Sequence, residues 1–101
     1  MYVIEVKEEN IGFLAFYLNR ELKETYVTLI AVKNGYQQLR VGSKLLKKCE
    51  VESKNNNIIK IKLEVYKNNK KAISFYKNNN FKKENIESEK TYHLVKLLEE
   101  E

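Results

Sequence analysis

The stretch from residue 26 to residue 66 constrains the fold of this chain more than any other. It opens on an apolar, β-branched run, Thr28-Leu29-Ile30-Ala31-Val32, which reads as a strand over residues 26–32. A polar loop follows, Lys33-Asn34-Gly35-Tyr36-Gln37-Gln38-Leu39-Arg40. From Val41 the apolar period becomes helical. Val41, Leu45, Leu46 and Cys49 share a face, while Lys44, Lys47, Lys48 and Glu52 point to water. Asn55-Asn56-Asn57 ends the helix, because asparagine tolerates the left-handed backbone of a helix stop. Residues 58–66 then alternate, with Ile59, Ile61, Leu63 and Val65 set against Lys60, Lys62 and Glu64, the pattern of a strand. Strand, helix and strand in that order imply a right-handed crossover and a parallel strand pair. Free backbone amides and the positive end of the helix dipole meet at the loop before the helix, where an anion is favoured. Gly42, at the helix start, lets the backbone come close to a ligand.

The flanks fill out a mixed sheet. Residues 2–6 and 11–19 read as two strands joined by the polar turn Lys7-Glu8-Glu9-Asn10, and the unbroken apolar run of the second predicts burial on both faces. With residues 26–32 they form an antiparallel meander. Residues 69–79 read as a second helix with Ala72, Ile73, Phe75 and Tyr76 as its apolar surface. Residues 81–89 are expected as an exposed strand and residues 90–98 as a closing one. The expected class is α/β (α+β): a mixed, mostly antiparallel sheet with a central parallel pair and two helices. It makes one domain over residues 1–101, since neither proline nor a glycine-rich linker divides it.

Composition narrows the partners. The net charge of +5, from 19 Lys and Arg against 14 Asp and Glu, is spread along the chain. A dispersed lysine excess argues against a nucleic-acid face. Cys49 is the one cysteine, so no intrachain disulfide forms and a reducing, cytoplasmic setting is expected. Its place on the apolar helix face predicts an inert, buried thiol. No segment approaches the ~20 apolar residues of a membrane span, and the first residues lack the pattern of a signal peptide. His93 is the one histidine, and no Cys/His cluster suggests a metal.

Two motifs carry a resemblance. Gln37-Gln38-Leu39-Arg40-Val41-Gly42 follows the strand ending Ile30-Ala31-Val32, and resembles the Gln/Arg-x-x-Gly-x-Gly/Ala motif of the GNAT acetyltransferase superfamily. Arg40 stands where that motif has its middle glycine. The second motif is more specific. Leu63, Val65, Asn69, Ala72, Tyr76 and Phe81 match the family's Leu-x-Val, Asn-x-x-Ala, Tyr and Gly-Phe in order and spacing. Asn80 replaces the glycine of Gly-Phe, and asparagine is the best non-glycine residue for a left-handed position. The resemblance covers residues 2–98.

The resemblance implies an N-acetyltransferase that moves an acetyl group from acetyl-CoA to an amine by direct attack. The sheet would splay between residues 26–32 and 58–66. The pantetheine arm of acetyl-CoA would lie there on main-chain groups near Ile30 and Val32, and the pyrophosphate on the amides of Gln38, Leu39, Arg40, Val41, Gly42 and Ser43, in the loop that Gln37 opens. Asn69 would contact the pantetheine arm, and Tyr76 would stand near the thioester sulfur as general acid. Asn69 also suits a plain helix cap, and Tyr76 a core aromatic. On this reading a valine at Gly42 projects toward the phosphates. Glu24, before the third strand, is the candidate general base, and Glu64 reads as a solvent-facing charge. The alternative is a non-catalytic acyl-CoA-binding or interaction module of the same fold. Family members usually carry a further strand and two helices ahead of the region matched by Tyr2. An apolar sheet face is therefore expected to lie open, and a homodimer is one way to cover it.

Overall fold

The computed structural model describes residues 2–8, 10–36 and 40–98, with backbone alone for residues 2–6 and 8. β1 (Tyr2–Glu8) and β2 (Gly12–Asn19) form an antiparallel hairpin, and β3 (Glu24–Val32) continues the meander. The turns use left-handed residues, Asn10 at φ 64° and Lys23 at φ 53°. α1 (Val41–Asn55) has the bounds its periodicity predicts, and β4 (Lys60–Tyr66) returns beside β3 in parallel. α2 (Lys70–Asn78), the two-residue β5 (Lys82–Lys83) and β6 (Thr91–Leu97) complete a six-stranded sheet in the order β1-β2-β3-β4-β6-β5. The mixed sheet, its single parallel pair and its two helices are those expected.

Burial shows which face holds the core. Leu14, Phe16 and Leu18 of β2 are at most 1% exposed, and Val27, Ile61, Leu63, Val65 and Leu94 extend the same layer. α1 covers it with Val41, Leu45, Leu46 and Cys49. A large apolar side chain taken from water in this way contributes ~1.5–3 kcal/mol. The buried hydroxyls of Thr25 and Ser53 satisfy each other across the β3–α1 contact at 2.6 Å. Burial pushes the Cys49 thiol up to about 12, which leaves it protonated and inert.

Three sequence readings are corrected. β2 is buried on one face only: Tyr17, next to the fully buried Phe16, is 37% exposed. The apolar run reflects a face that no described element covers. β4 begins at Lys60, so Ile58 (4% exposed) fills the core and Ile59 (38%) does not. The strand expected over residues 81–89 shrinks to Lys82–Lys83, because pairing with β6 stops after Lys83↔Leu94. Its partner β6 then lies inside the sheet between β4 and β5 and does not form the edge.

Candidate active site

The site begins where the parallel pair fails. β3 and β4 pair over only three positions, Glu24↔Lys60, Thr25↔Ile61 and Tyr26↔Lys62. A β-bulge helps to turn β3 away. The register with β2 passes from Phe16↔Val27 to Ala15↔Leu29, which leaves Thr28 as the extra residue, and its hydroxyl donates to the Ala15 carbonyl at 3.2 Å. A bulge bends its strand and sharpens the local twist. Beyond Tyr26 the strands diverge around a cleft of ≈ 420 Å³, walled by Leu29 and Ile30 on one side and Leu63, Glu64 and Val65 on the other. A second cavity of ≈ 410 Å³ lies at the start of both helices, between Arg40, Gly42 and Ser43 of α1 and Lys71 and Phe75 of α2. The two share Ile30, Asn69, Ala72 and Tyr76, and so make one track from the helix ends into the splayed sheet.

Tyr76 is 8% exposed on that track, with its ring edge-on to Phe75 at 5.2 Å and to Phe81 at 5.6 Å. Burial raises its pKa above that of a free phenol, so the hydroxyl stays a proton donor. No partner for that hydroxyl is recorded among the described residues. Phe81 is seated by Asn80, which takes φ 71° at the position where the motif has glycine, and by a bond from the Phe81 amide to the Tyr76 carbonyl at 3.0 Å. Asn69 caps α2: its Oδ1 accepts from the Ala72 amide at 3.2 Å. The cap occupies only the carbonyl oxygen, so the amide NH2 remains for a ligand in the track. The cap and the ligand contact are therefore compatible.

The remaining sequence candidates divide. Ile30 and Val32 line the helix-end cavity, as do Arg40, Gly42 and Ser43. Val41 points its side chain into the core at 2% exposure, which leaves only its backbone to a ligand. Gln37, Gln38 and Leu39 lie outside the described residues. Gly42 has a reason the sequence did not reveal. A Cβ there would meet the Phe75 ring at 2.9 Å from Cζ and 3.1 Å from Cε1, so the glycine lets that ring of α2 lie against the start of α1.

Glu24 is not brought to the track. It sits at the far end of β3 from Ile30, in ion pairs with Lys60 at 3.2 Å and Lys62 at 3.8 Å, where β3 and β4 are still joined. Glu64 instead lines the cleft. Its Oε1 accepts from the Tyr26 hydroxyl at 3.2 Å and its Oε2 from the Thr91 hydroxyl at 3.1 Å. His93, directly across the β4–β6 ladder, places Nε2 3.9 Å from Oε1. Tyr26 is raised above the usual phenol range, first by burial and then by the charge and hydrogen bond of Glu64. Strand alternation alone makes Glu64 a surface charge. What makes it a cleft residue is the divergence of the neighbouring strand.

A strand splayed from its parallel neighbour, with two helix starts at the mouth of the gap, suits a long ligand with an anionic end. The family model for the GNAT acetyltransferases matches residues 1–81. This chain belongs to the GNAT acetyltransferase family. Among solved structures it is similar to the PaiA N-acetyltransferase of Thermoplasma acidophilum in complex with coenzyme A, at 25% identity and TM-score 0.78 over 86% of this chain and 53% of that one. It is similar to Ard1 of Thermoplasma volcanium, at 27% identity and TM-score 0.77 over 89% of this chain and 64% of that one. The ribosomal-protein-S18-alanine N-acetyltransferase of Escherichia coli shares the fold, at 20% identity and TM-score 0.80 over 98% of this chain and 71% of that one. This chain thus spans between 53% and 71% of the length of these three. No curated protein matches it. Among the described residues no helix is long and apolar enough to cross a membrane, and no three His, Cys, Asp or Glu side chains gather as metal ligands.

Proposed function

We propose that the chain is an acetyl-CoA-dependent N-acetyltransferase acting in the cytoplasm, with an amine as acceptor. The observation that carries this reading is the single track that joins two helix N-termini to the β3–β4 cleft, with Tyr76 at its centre and Glu64 at its far end. The pyrophosphate of acetyl-CoA suits the helix-end cavity, where backbone amides and the helix dipole favour anions. The pantetheine arm then runs past Asn69 along Ile30 and Val32, on β3 main chain that β4 no longer pairs.

The acetyl thioester comes to rest beside Tyr76, with the amine entering from the Glu64 side. Glu64 takes the proton that the acceptor nitrogen must lose to attack. The nitrogen forms a bond to the thioester carbonyl carbon, the carbon–sulfur bond breaks, and the leaving thiolate takes the Tyr76 proton. A carboxylate held by two hydroxyl donors is fixed in place yet keeps lone pairs for the substrate.

Tyr76→Phe tests the acid. It keeps the ring packing against Phe75 and Phe81 and removes only the hydroxyl. Turnover is expected to fall ~10-fold or more, toward the ~10²–10⁴-fold typical of acid–base groups, with acetyl-CoA affinity unchanged. Equal turnover of the two proteins returns Tyr76 to a packing role. The class of activity is tested by following CoA release against a panel of amines. Acetyl-CoA binding by calorimetry without amine-dependent release favours the binding-module alternative.

The open sheet face enters the same reading. Tyr17 and Tyr26 (37% each), Leu29 (49%) and Leu97 (72%) lie exposed on the face away from α1. Beside them lie the ion pairs Lys60–Glu24 and Lys62–Glu84. A twofold pair through this apolar face places new walls beside Tyr26 and Leu29 at the acceptor end. Light scattering at micromolar concentration is expected to give twice the 12.0 kDa chain mass. A mass of one chain with full activity overturns the dimer.

A further inference from the structure

Charge is unevenly divided along the track. The chain has 19 Lys and Arg, yet none is among the described residues that line the β3–β4 cleft, where Glu64 and three tyrosines, Tyr26, Tyr66 and Tyr76, are found. The cations beside the cleft are engaged elsewhere. Strand alternation puts Lys60 and Lys62 on the same face as Glu64, but Lys60 reaches Glu24 at 3.2 Å and Lys62 reaches Glu84 at 3.2 Å. Lys67, just past β4, lies over the Tyr92 ring, 5.3 Å from its centre. His93, 3.9 Å from the Glu64 carboxylate, is not among the lining residues.

Hydrogen-bond donors are scarce in the cleft as well. A hydroxyl has one proton to give. Tyr26 and Thr91 give theirs to Glu64, and Thr28 gives its own to the Ala15 carbonyl. Asn69 and Tyr76 stand where the acetyl-CoA arm runs, which leaves the Tyr66 hydroxyl. A carboxylate placed beside Glu64 would therefore meet a like charge, no cation and one side-chain donor, and an anion taken from water without a partner is costly. An ammonium in the same place meets the Glu64 carboxylate and the exposed rings of Tyr26 and Tyr66.

Resting on the acetyltransferase reading above, we infer that the acceptor is an amine carried on an uncharged, largely apolar body with no carboxylate near the nitrogen, and that Tyr26, Leu29 and Tyr66 form the wall against which that body packs. Glu64 draws in the ammonium and then takes its proton. Free amino acids are selected against, because their carboxylate sits on the carbon that bears the nitrogen and so comes to rest beside Glu64. The specificity arises from what the cleft withholds as much as from what it offers.

Phenylalaninol and phenylalanine, compared as acceptors at saturating acetyl-CoA, test this. They share the ring, the branching and an amine of similar basicity, and differ in a neutral hydroxymethyl group against a carboxylate. Wild-type protein is expected to favour phenylalaninol ~10-fold or more in kcat/KM, the result of one unpaired, repelled charge. Leucinol and leucine repeat the comparison without the ring. Leu29→Arg sets a cation in the cleft wall and is expected to cut the preference by about threefold or more, whereas Leu29→Gln, polar and neutral, should keep it within about twofold of wild type. The ratio is read and not the rate, so a general loss of activity in a variant leaves the result legible. Amino acids accepted as readily as the amino alcohols overturn the proposal alone, and so does a folded Leu29→Arg protein with the wild-type ratio. Wild-type protein that releases CoA with no amine overturns it together with the acetyltransferase reading.

Discussion

Glu64→Gln is expected to lower turnover with a saturating amine by ~100-fold or more, the range for loss of a positioned general base. The substitution keeps the size of the side chain and its ability to accept from one of the Tyr26 and Thr91 hydroxyls, which lie 3.2 and 3.1 Å from the two carboxylate oxygens, while the new amide nitrogen donates to the other. It removes the capacity to take a proton. Acetyl-CoA affinity should not move, because the helix-end cavity does not include Glu64. The drop should therefore appear in kcat and not in the binding of the donor. Raising the pH should recover part of the activity, since a larger share of the acceptor then arrives already deprotonated. Wild-type turnover in a folded Glu64→Gln protein would remove Glu64 from the mechanism. Glu24→Gln is the matched control: its ion pairs with Lys60 and Lys62 lie where β3 and β4 are still paired, and its loss should leave the rate within about twofold, as for a surface pair worth ~0–1 kcal/mol.

Gly42→Val is expected to impair folding and donor binding together. The first added carbon already meets the Phe75 ring at 2.9 Å, and the two valine methyls extend further into the same contact. Overpacking of this kind costs ~1–3 kcal/mol, and each kcal/mol corresponds to ~4–8 °C in the melting temperature of a domain this size. Phe75 and Gly42 both line the helix-end cavity, so a displaced ring also narrows the donor site, and CoA affinity should fall ~10-fold or more. Phe75→Leu in the same chain tests the cause. It shortens the group that the valine strikes, and should return part of both the melting temperature and the affinity. A folded Gly42→Val protein with unchanged CoA affinity would sink the assignment of this cavity to the donor. The expectation that the valine projects toward the phosphates is replaced by this helix–helix contact.

Much of the architecture was legible because local chemistry and fold agree. The 3.6-residue spacing of Val41, Leu45 and Cys49 marks α1 to its observed ends, since each of those side chains is buried on the one face the helix presents. Asn80 could be read as a left-handed stand-in for glycine, because few side chains accept that backbone and asparagine is one of them. Asn69 could be read as a cap from its place ahead of the helix. Burial was less legible where it depended on what covers a surface. The apolar run of β2 says that its residues can be buried, and only the packing of α1 on one face decides which are.

The sequence alone determined the order of strands and helices and the two motifs that mark the family, because these rest on spacing and residue type within a few turns of chain. The tertiary structure decided what lines the cleft. Pairing between β3 and β4 ends after Tyr26↔Lys62 through a bulge at Thr28, and neither the length of that pairing nor the angle of departure is written in either strand alone. That divergence turns Glu64 from a solvent-facing charge into a wall of the cleft and leaves Glu24 in a surface ion pair. The approach of the Phe75 ring to the start of α1 gives Gly42 its reason, and Arg40 and Lys71 line one cavity. Each of these depends on distances between segments far apart in the chain, and such distances are fixed only when the whole core packs.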